Sequence, residues 1–372
     1  MANTKKSPST YIWQRDDWPR MTVRTDSLAS LLAETNTLRG LLMGRIAMFG
    51  FEERNESLLE AMTSEIVHSS KIEGEELSRD SVRSSLAQQL QLEYDGLPVT
   101  DHYIEGVVQV MVDATKGHGQ PLTAERLFAW HHALFPYGMS GMYKIKAGAW
   151  RDGVMQVVSG AMGKERVHYE APPSEAVPAM MDNFLEWTEC GDTSMDPLVK
   201  AAIAHLWFVT IHPFDDGNGR LCRTITEMML SRADHTEKRY YSMSSQILQN
   251  RKAYYDHLER AQKGTTDITE WVAWFLATLK TAVQDAIDKT EHVVRKRQFW
   301  DCHSHTPLNE RQRKVLNRLL DGFDDKLNSS KWYKICHCSQ DTATRDINDL
   351  VAKGILRKTG EGGRNTSYEL SE

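Results

Sequence analysis

The sequence His-Pro-Phe-Asp-Asp-Gly-Asn-Gly-Arg-Leu-Cys-Arg at residues 212–223 decides the interpretation of the whole chain. Apolar residues recur at helical spacing before it, and Pro213 ends that helix because proline lacks an N–H and clashes with the preceding turn. A second apolar pattern follows Gly219 and predicts another helix. We therefore expect His212 where one helix becomes a loop, followed by a glycine turn that leads into the next helix.

The residue types in this loop suit phosphate chemistry assisted by a metal ion. His212 is a candidate general base, because an imidazole with a pKa of about 6.5 can take a proton from a hydroxyl near neutral pH. Asp216 is a candidate ligand for Mg²⁺, which needs few protein ligands when phosphate oxygens complete its shell. The two glycines allow positive φ angles, and the amides that begin the second helix form an anion site. Arg220 and Arg223 lie on one face of that helix, where their planar forks match a triphosphate.

All fixed positions of the motif H-P-F-x-D/E-G-N-G-R-x-x-R are present, so the chain is identified as a member of the Fic proteins. The resemblance implies a mainly α-helical fold and transfer of AMP from ATP to a Ser, Thr or Tyr hydroxyl of a target protein. It implies that His212 deprotonates this hydroxyl, that Asp216 holds Mg²⁺ and that Phe214 anchors the loop. The other motif residues would contact the phosphates: Gly217, Asn218 and Gly219 the α and β groups, Arg220 and Arg223 the β and γ groups.

A second motif of these proteins lies upstream, where Ser69 to Gly74 fit the inhibitory pattern S/T-x-x-x-E-G/N. Ser69 and Glu73 are i and i+4 on a predicted helix, and Gly74 suits its C-terminal cap. The chain therefore resembles the class whose inhibitory helix precedes the catalytic core. A Glu73 carboxylate that pairs with Arg223 would compete with the γ-phosphate, so we expect an enzyme that is inactive by default.

A β-hairpin is predicted between the two motifs. Residues 150–158 have a strand-like pattern, residues 159–163 form a turn, and residues 166–169 return before Pro172. In Fic proteins the corresponding hairpin, the flap, binds the target protein by strand addition. The same alignment places four residues beside the nucleotide: Val167, His168, Tyr169 and Glu170.

Residues 254–262 resemble the family segment Y-Y-x-x-L-x-x-A-N, whose first Tyr and last Asn approach the nucleotide base and sugar. The resemblance assigns these positions to Tyr254 and Gln262. Because Gln262 has one methylene more than Asn, the preference for ATP over another nucleotide is left open.

Composition places the chain among soluble globular proteins. It has 372 residues, of which 40% are apolar and 26% charged, which suits two or three domains. No apolar run approaches the length of about 18 residues that spans a membrane, and the first residues are polar. The five cysteines are scattered, as expected for free thiols in a reducing compartment. We therefore expect a cytoplasmic protein without a membrane partner, and its net charge of −6 argues against a globally basic nucleic-acid binder.

Three domains are predicted. Residues 1–97 form an N-terminal helical domain with the inhibitory helix, residues 98–290 the Fic catalytic core, and residues 300–372 a winged helix-turn-helix. The third helix of the last domain carries polar residues suited to a DNA groove, with Lys358 and Arg364 on the wing for phosphates. Three aspartates on that helix would repel DNA: Asp341, Asp346 and Asp349. The alternatives for this domain are therefore DNA binding and a role in protein docking or dimerisation.

Three functions remain open from the sequence. The leading hypothesis is a protein adenylyltransferase that uses ATP and Mg²⁺ and is autoinhibited by Glu73. The second is removal of AMP from a modified protein, with Glu73 positioning a water molecule. The third is a DNA-binding regulator whose Fic core senses nucleotide. Neither the target protein nor the oligomeric state follows from these patterns, and a homo-oligomer is one of the open alternatives.

Overall fold

The structure is a computed structural model, and its helices confirm the predicted mainly α fold. It divides into two compact units, one that ends at Ala286 and one that begins at Ile287. It describes residues 10–92, 101–159, 166–190, 194–320, 327–359 and 366–371. The predicted domain boundary at residues 97 and 98 and the wing residue Arg364 lie outside these ranges.

The first unit contains ten α-helices within its described residues, and an eleventh continues into the second unit. They are α1 Ala29–Ala47, α2 Phe51–Ile72, α3 Arg79–Leu90, α4 His102–Lys116, α5 Ala124–Leu134, α6 Val177–Cys190, α7 Pro197–Ile211, α8 Asn218–Asp234, α9 Met243–Gln249, α10 Arg251–Gln262 and α11 Thr269–Cys302. Two antiparallel hairpins accompany them: β1 Met139–Ser140 with β2 Tyr143–Lys144, and β3 Gln156–Ser159 with β4 Arg166–Glu170.

Helix α7 is the centre of this unit. Asp196 caps its N-terminus by accepting the Leu198 N–H at 2.8 Å, and Pro197 occupies the first helical position, where no N–H is needed. The helix is apolar on all sides and almost fully buried, as expected for a helix surrounded by others. Helix α8 packs against it, so the loop that joins them is held between two fixed helix ends.

The flap strand is shorter than predicted. The pattern from residue 150 indicated a strand, but β3 begins only at Gln156. Arg151 explains the difference, because its buried guanidinium donates to the carbonyls of His212, Gly153 and Pro172 and so holds this segment as an irregular loop. Most of the predicted turn falls on residues 160–165, outside the described residues.

The second unit contains three further helices and a hairpin in the predicted order. These are α12 Glu310–Leu320, α13 Ser329–Cys336, α14 Gln340–Ala352, β5 Leu356–Thr359 and β6 Ser367–Leu370. Trp332 and Ile347 belong to its buried apolar core. Of the aspartates that were expected to repel DNA, Asp346 is buried against Arg311 and Asn309, whereas Asp341 is exposed. A winged helix-turn-helix that binds DNA stays a prediction.

Among the helices of the described ranges, none is sufficiently long and apolar to cross a membrane.

The loop between α7 and α8 is anchored by Phe214, as the resemblance implied. This side chain is fully buried, and its ring stacks on His131 with centroids 4.2 Å apart. The Trp150 ring lies 5.0 Å away on another side. Because two other segments, α5 and the one that contains Trp150, pack on this ring, its removal would leave a cavity directly beneath the loop.

We expect Phe214→Ala to lower the free energy of unfolding of the first unit by about 3–5 kcal/mol, through lost burial and the remaining cavity. Phe51→Ala is the matched control, because this ring is 72% exposed and exposed substitutions change stability by about 0.5 kcal/mol or less. Urea unfolding followed by tryptophan fluorescence measures both variants. Equal midpoints for the two would contradict the anchoring role.

Candidate active site

The loop that contains His212 is shaped by its own side chains. Asn218 closes it, since its amide oxygen accepts the Phe214 N–H at 3.0 Å and its amide nitrogen donates to the Phe214 carbonyl at 2.8 Å. Its buried side chain therefore holds the loop, and Asn218 also contributes to the lining of a cavity over the loop. Gly217 has a φ of +77°, and a Cβ there would lie 2.7 Å from the Phe135 ring. Glycine is required at this position for both reasons.

Gly219 was expected to need a positive φ, and this expectation was wrong. It lies in the first turn of α8, and its φ is outside the left-handed region. A Cβ at this position would overlap the carboxylate of Glu73. Glycine is therefore required because a carboxylate lies directly against the N-terminus of α8, which is where a helix binds anions.

His212 is held in one tautomer. It forms the C-terminal cap of α7 in a left-handed conformation with a φ of +52°, and its Nδ1 lies 3.0 Å from the Val209 carbonyl. An imidazole nitrogen must carry a proton to donate to a carbonyl, so the lone pair is on Nε2. Burial lowers the pKa of His212 below its ordinary value of 6.5, which favours the neutral ring. This side chain therefore has the state that a general base needs.

Asp216 is fixed beside this base. One carboxylate oxygen accepts the Gly217 N–H at 2.6 Å, and the other accepts the Ser140 hydroxyl of the β1–β2 hairpin. Its main-chain carbonyl accepts the Nε2–H of His131 at 3.1 Å. One hard oxygen donor at the cavity fits a Mg²⁺ ion that binds together with phosphates. In the described ranges no group of three or more His, Cys, Asp or Glu could hold a metal ion by itself.

A cavity of about 770 Å³ lies over the loop. Its walls are the loop, the flap hairpin and α10, and four of the residues expected beside the nucleotide contribute: His168, Tyr169, Tyr254 and Gln262. Val167 and Glu170, which were also expected there, lie outside this lining. Sequence reasoning missed three residues of α10 in this lining: Arg251, Lys252 and Tyr255. No motif gave a signal for the two cations, whereas Tyr255 is the second Tyr of the Y-Y segment.

The two residues from α10 with an expected nucleotide contact are engaged with protein groups. The hydroxyl of Tyr254 lies 3.0 Å from the buried ring nitrogen of His205, so this hydroxyl is engaged inside the protein. The Gln262 amide nitrogen lies 3.4 Å from the Val209 carbonyl, which also receives the Nδ1–H of His212. Gln262 is thus linked to the catalytic loop through a shared acceptor.

Arg223 lies behind the loop and is bound by the end of α2. Its Nε donates to the Ser69 hydroxyl and its Nη2 to the Ser69 carbonyl and the Glu73 carboxylate, each at 2.8 Å. The guanidinium is buried, whereas Glu73 is partly exposed and lines the cavity. The structure thus brings Arg223 of the motif at residues 212–223 together with Ser69 and Glu73 of the upstream motif.

Arg220 has its own set of partners, which sequence reasoning missed. Its Nη1 lies 2.9 Å from a Glu75 carboxylate oxygen and 2.6 Å from the Tyr103 hydroxyl. Its guanidinium also stacks on the Phe135 ring, 4.8 Å from the centroid. Glu75 directly follows the inhibitory motif, and this position could have indicated a contact with the catalytic motif. Nothing in the sequence around Tyr103 indicated a contact with Arg220.

Helix α2 is fixed against α9 at its middle. The buried carboxylate of Glu65 accepts the Ser242 hydroxyl at 2.8 Å and the Ser244 N–H at 2.9 Å, at the N-terminus of α9. Carboxylates are favourable at helix N-termini because the amides there are unpaired. The end of α2 that carries Ser69 and Glu73 is therefore positioned by contacts outside the catalytic loop.

Comparison with known proteins agrees with these features. Residues 121–230 match the model of the Fic/DOC family, and residues 11–92 match that of a domain of unknown function, DUF4172. A protein adenylyltransferase Fic of Drosophila willistoni is 28% identical over 249 residues, which cover 65% of this chain and 46% of the relative. That of Culex quinquefasciatus is 29% identical over 210 residues, which cover 55% of this chain and 38% of the relative. The chain thus spans less than half the length of these curated relatives.

The fold is also found among solved structures. A Fic family protein of Desulfovibrio desulfuricans G20 superposes with a TM-score of 0.52 at 23% identity, covering 94% of this chain and 97% of the other. The family match includes the loop, both flanking helices and the paired arginines. The chain therefore contains a Fic domain at residues 121–230, and a segment that matches a different family model, residues 11–92, precedes it.

Proposed function

We propose that the protein is a protein adenylyltransferase that transfers AMP from ATP to a Ser, Thr or Tyr hydroxyl of a target protein and is restrained by Glu73. The observation that carries the proposal is that three groups meet at one cavity. These are the neutral His212 ring with its Nε2 lone pair, the Asp216 carboxylate and the amide end of α8. The curated relatives are named for the same activity.

In the proposed reaction the target hydroxyl oxygen forms a bond to the α-phosphorus of ATP. The bond from this phosphorus to the oxygen that bridges the α- and β-phosphates breaks, and pyrophosphate leaves. His212 Nε2 accepts the hydroxyl proton, while Nδ1–H keeps its bond to the Val209 carbonyl. The protein supplies mainly position and compensating charge, as is general for phosphoryl-type transfer.

Asp216 would hold a Mg²⁺ ion that arrives with ATP. The ion would neutralise charge on the phosphate oxygens. The role of the chain is to fix the carboxylate, and the bonds from Ser140 and from the Gly217 N–H do so. The N-terminal amides of α8 would bind phosphate oxygens beside it.

The target protein would bind along the flap. Hairpin β3–β4 is a two-stranded sheet in the described ranges, and an extended segment can add to a free strand edge by main-chain hydrogen bonds. Val158 and Val167 on these strands are 49% and 40% exposed, which offers apolar contacts to such a segment. Strand addition here would place a hydroxyl near the cavity that His212 lines.

Glu73 would restrain the reaction in two ways. Its carboxylate engages the charge of Arg223, and it lies against Gly219 at the anion-binding end of α8. An ATP γ-phosphate would require both positions, so the carboxylate competes with it. Removal of AMP from a modified protein is a second candidate, because Glu73 and His212 line the same cavity and a carboxylate there could orient a water molecule.

In the Glu73→Gly background, where the proposed restraint is removed, we expect His212→Ala to lower the rate of AMP transfer by at least about 10²-fold, because the general base is lost. ATP affinity should persist, since the phosphate-binding groups remain. His102→Ala is the control, because this histidine is exposed on α4. Labelled ATP with whole-cell protein measures transfer, and calorimetry measures binding. Labelling by His212→Ala at the rate of the control would contradict the mechanism.

The pH dependence follows from the lowered pKa of His212. Burial favours the neutral ring, so the base stays competent as the pH falls through 6.5 and is protonated only at a lower pH. We expect kcat/KM of an active variant, Glu73→Gly, to decline on the acid side with an apparent pKa below 6.5. An acid limb at or above that value would show that another group titrates.

We expect Glu73→Gly to raise automodification by about 5- to 150-fold, the range of an ordinary coupling between two ligands. The combination with Arg223→Ala should be inactive, because activation requires the released arginine. Glu76→Gly is the matched control, since this glutamate lies on the surface beside Lys71. Lower automodification in Glu73→Gly, together with slower loss of AMP from a modified protein, would instead support the AMP-removing reaction.

A further inference from the structure

The chain turns sharply after α2, and the turn brings two glutamates to the same place. The Gly74 N–H donates to the Lys71 carbonyl at 3.0 Å and the Glu75 N–H to the Ser70 carbonyl at 3.1 Å. With a φ of +90° at Gly74, this is a Schellman motif. It fixes the positions of Glu73 and Glu75 relative to the helix end.

The two arginines of the catalytic motif face this turn. Arg220 and Arg223 are i and i+3 on α8, hence on one face of the helix. Glu73 lies 2.8 Å from Arg223, and Glu75 lies 2.9 Å from Arg220. Two carboxylates on one turn therefore pair with two guanidinium groups on one helix face.

The pair formed by Arg220 and Glu75 belongs to a closed cluster. The Tyr103 hydroxyl donates to Glu75 and accepts from Arg220, and the Phe135 ring covers the guanidinium. Burial raises the pKa of Tyr103 above its ordinary value of 10, so the hydroxyl keeps its proton and can donate. The side chain of Arg220 is only 5% exposed, against 39% for Glu75. The carboxylate is thus the accessible member of the cluster, and the arginine is the enclosed one.

This arrangement leaves the charge of Arg220 committed to the protein. Neither Arg220 nor Arg223 is part of the cavity lining. The buried Nε of Arg220 has no hydrogen-bond partner among the described residues, so one donor of this guanidinium is left unsatisfied in this arrangement. To neutralise a phosphate in the cavity, Arg220 would have to loosen its contact with Glu75.

We propose that Glu75 is a second inhibitory carboxylate, which acts on Arg220 as Glu73 acts on Arg223, with Tyr103 strengthening its hold. The proposal rests on the proposed function for its consequence in AMP transfer, but its direct effect is on ATP affinity. The two restraints act on different arginines, so each withholds a separate part of the phosphate-binding charge. Removal of Glu73 alone then leaves the enzyme partly restrained.

The opposite role for Glu75 is orientation of Arg220 toward the phosphates. The two roles predict effects of opposite sign, and Glu75→Gln separates them. This substitution keeps the shape and an oxygen that accepts from Arg220, but it removes the negative charge. Glu76→Gln is the matched control, because Glu76 is the next glutamate along the chain but its carboxylate is exposed to solvent beside Lys71.

Binding is measured by calorimetry with ATP and Mg²⁺ in the His212→Ala background, where no transfer occurs. We expect Glu75→Gln to strengthen ATP affinity by at least about 5-fold, the lower end of ordinary coupling, and Glu76→Gln to leave it unchanged. Affinity for AMP should change by less than about 2-fold, because AMP has no β- or γ-phosphate for Arg220; a general loosening of the fold would alter both. The double variant Glu73→Gly/Glu75→Gln should bind ATP more tightly than Glu73→Gly.

Tyr103→Phe is a second, independent variant, which removes the hydroxyl that joins Glu75 to Arg220. It should strengthen ATP affinity in the same direction as Glu75→Gln. Unchanged or weaker ATP affinity in Glu75→Gln would overturn the proposal, and weaker affinity would assign Glu75 to orientation. A failure of the proposed function would be distinguishable. In that case Glu73→Gly with intact His212 would attach no labelled AMP to protein, whereas Glu75→Gln would still change the affinity for ATP.

Discussion

The pairing of two buried arginines with carboxylates is the constraint on which the site depends. A guanidinium stays charged at any pH at which proteins are folded, so its burial requires a compensating negative group. Arg223 is buried against Glu73 and Ser69, and Arg220 against Glu75 and Tyr103. The two guanidinium charges are thus part of the packed interior, and carboxylates of the chain itself compensate them.

This constraint explains why the N-terminal helices are packed into the same unit as the catalytic loop. Helix α2 delivers the carboxylates, and its position is set by the bond between Glu65 and the start of α9. The Schellman motif at Gly74 then fixes where the carboxylates lie relative to α8. The placement of the two carboxylates therefore depends on helix packing along α2 and on a single glycine turn after it.

The loop between α7 and α8 must keep a fixed shape although it lacks the main-chain hydrogen bonds of a helix or sheet. Its backbone polar groups are satisfied by side chains: Asn218 pairs with both main-chain groups of Phe214, and Arg151 donates to the His212 carbonyl. Buried main-chain groups must find such partners. The same bonds hold the loop that carries His212 and Asp216, so stability and site geometry have a common origin.

What the sequence by itself determined was local. The end of α7 before Pro213, the i, i+3 placement of Arg220 and Arg223 and the cap at Gly74 follow from backbone geometry over a few residues. The motif then indicated the family. Only the tertiary structure decided that Gly219 is needed for contact with Glu73. It also decided that β3 begins late, because Arg151 binds three carbonyls. The contacts of Arg220 with Glu75 and Tyr103 likewise appear only in the folded chain. These contacts join residues far apart in the chain, and their energies depend on burial, which no local pattern specifies.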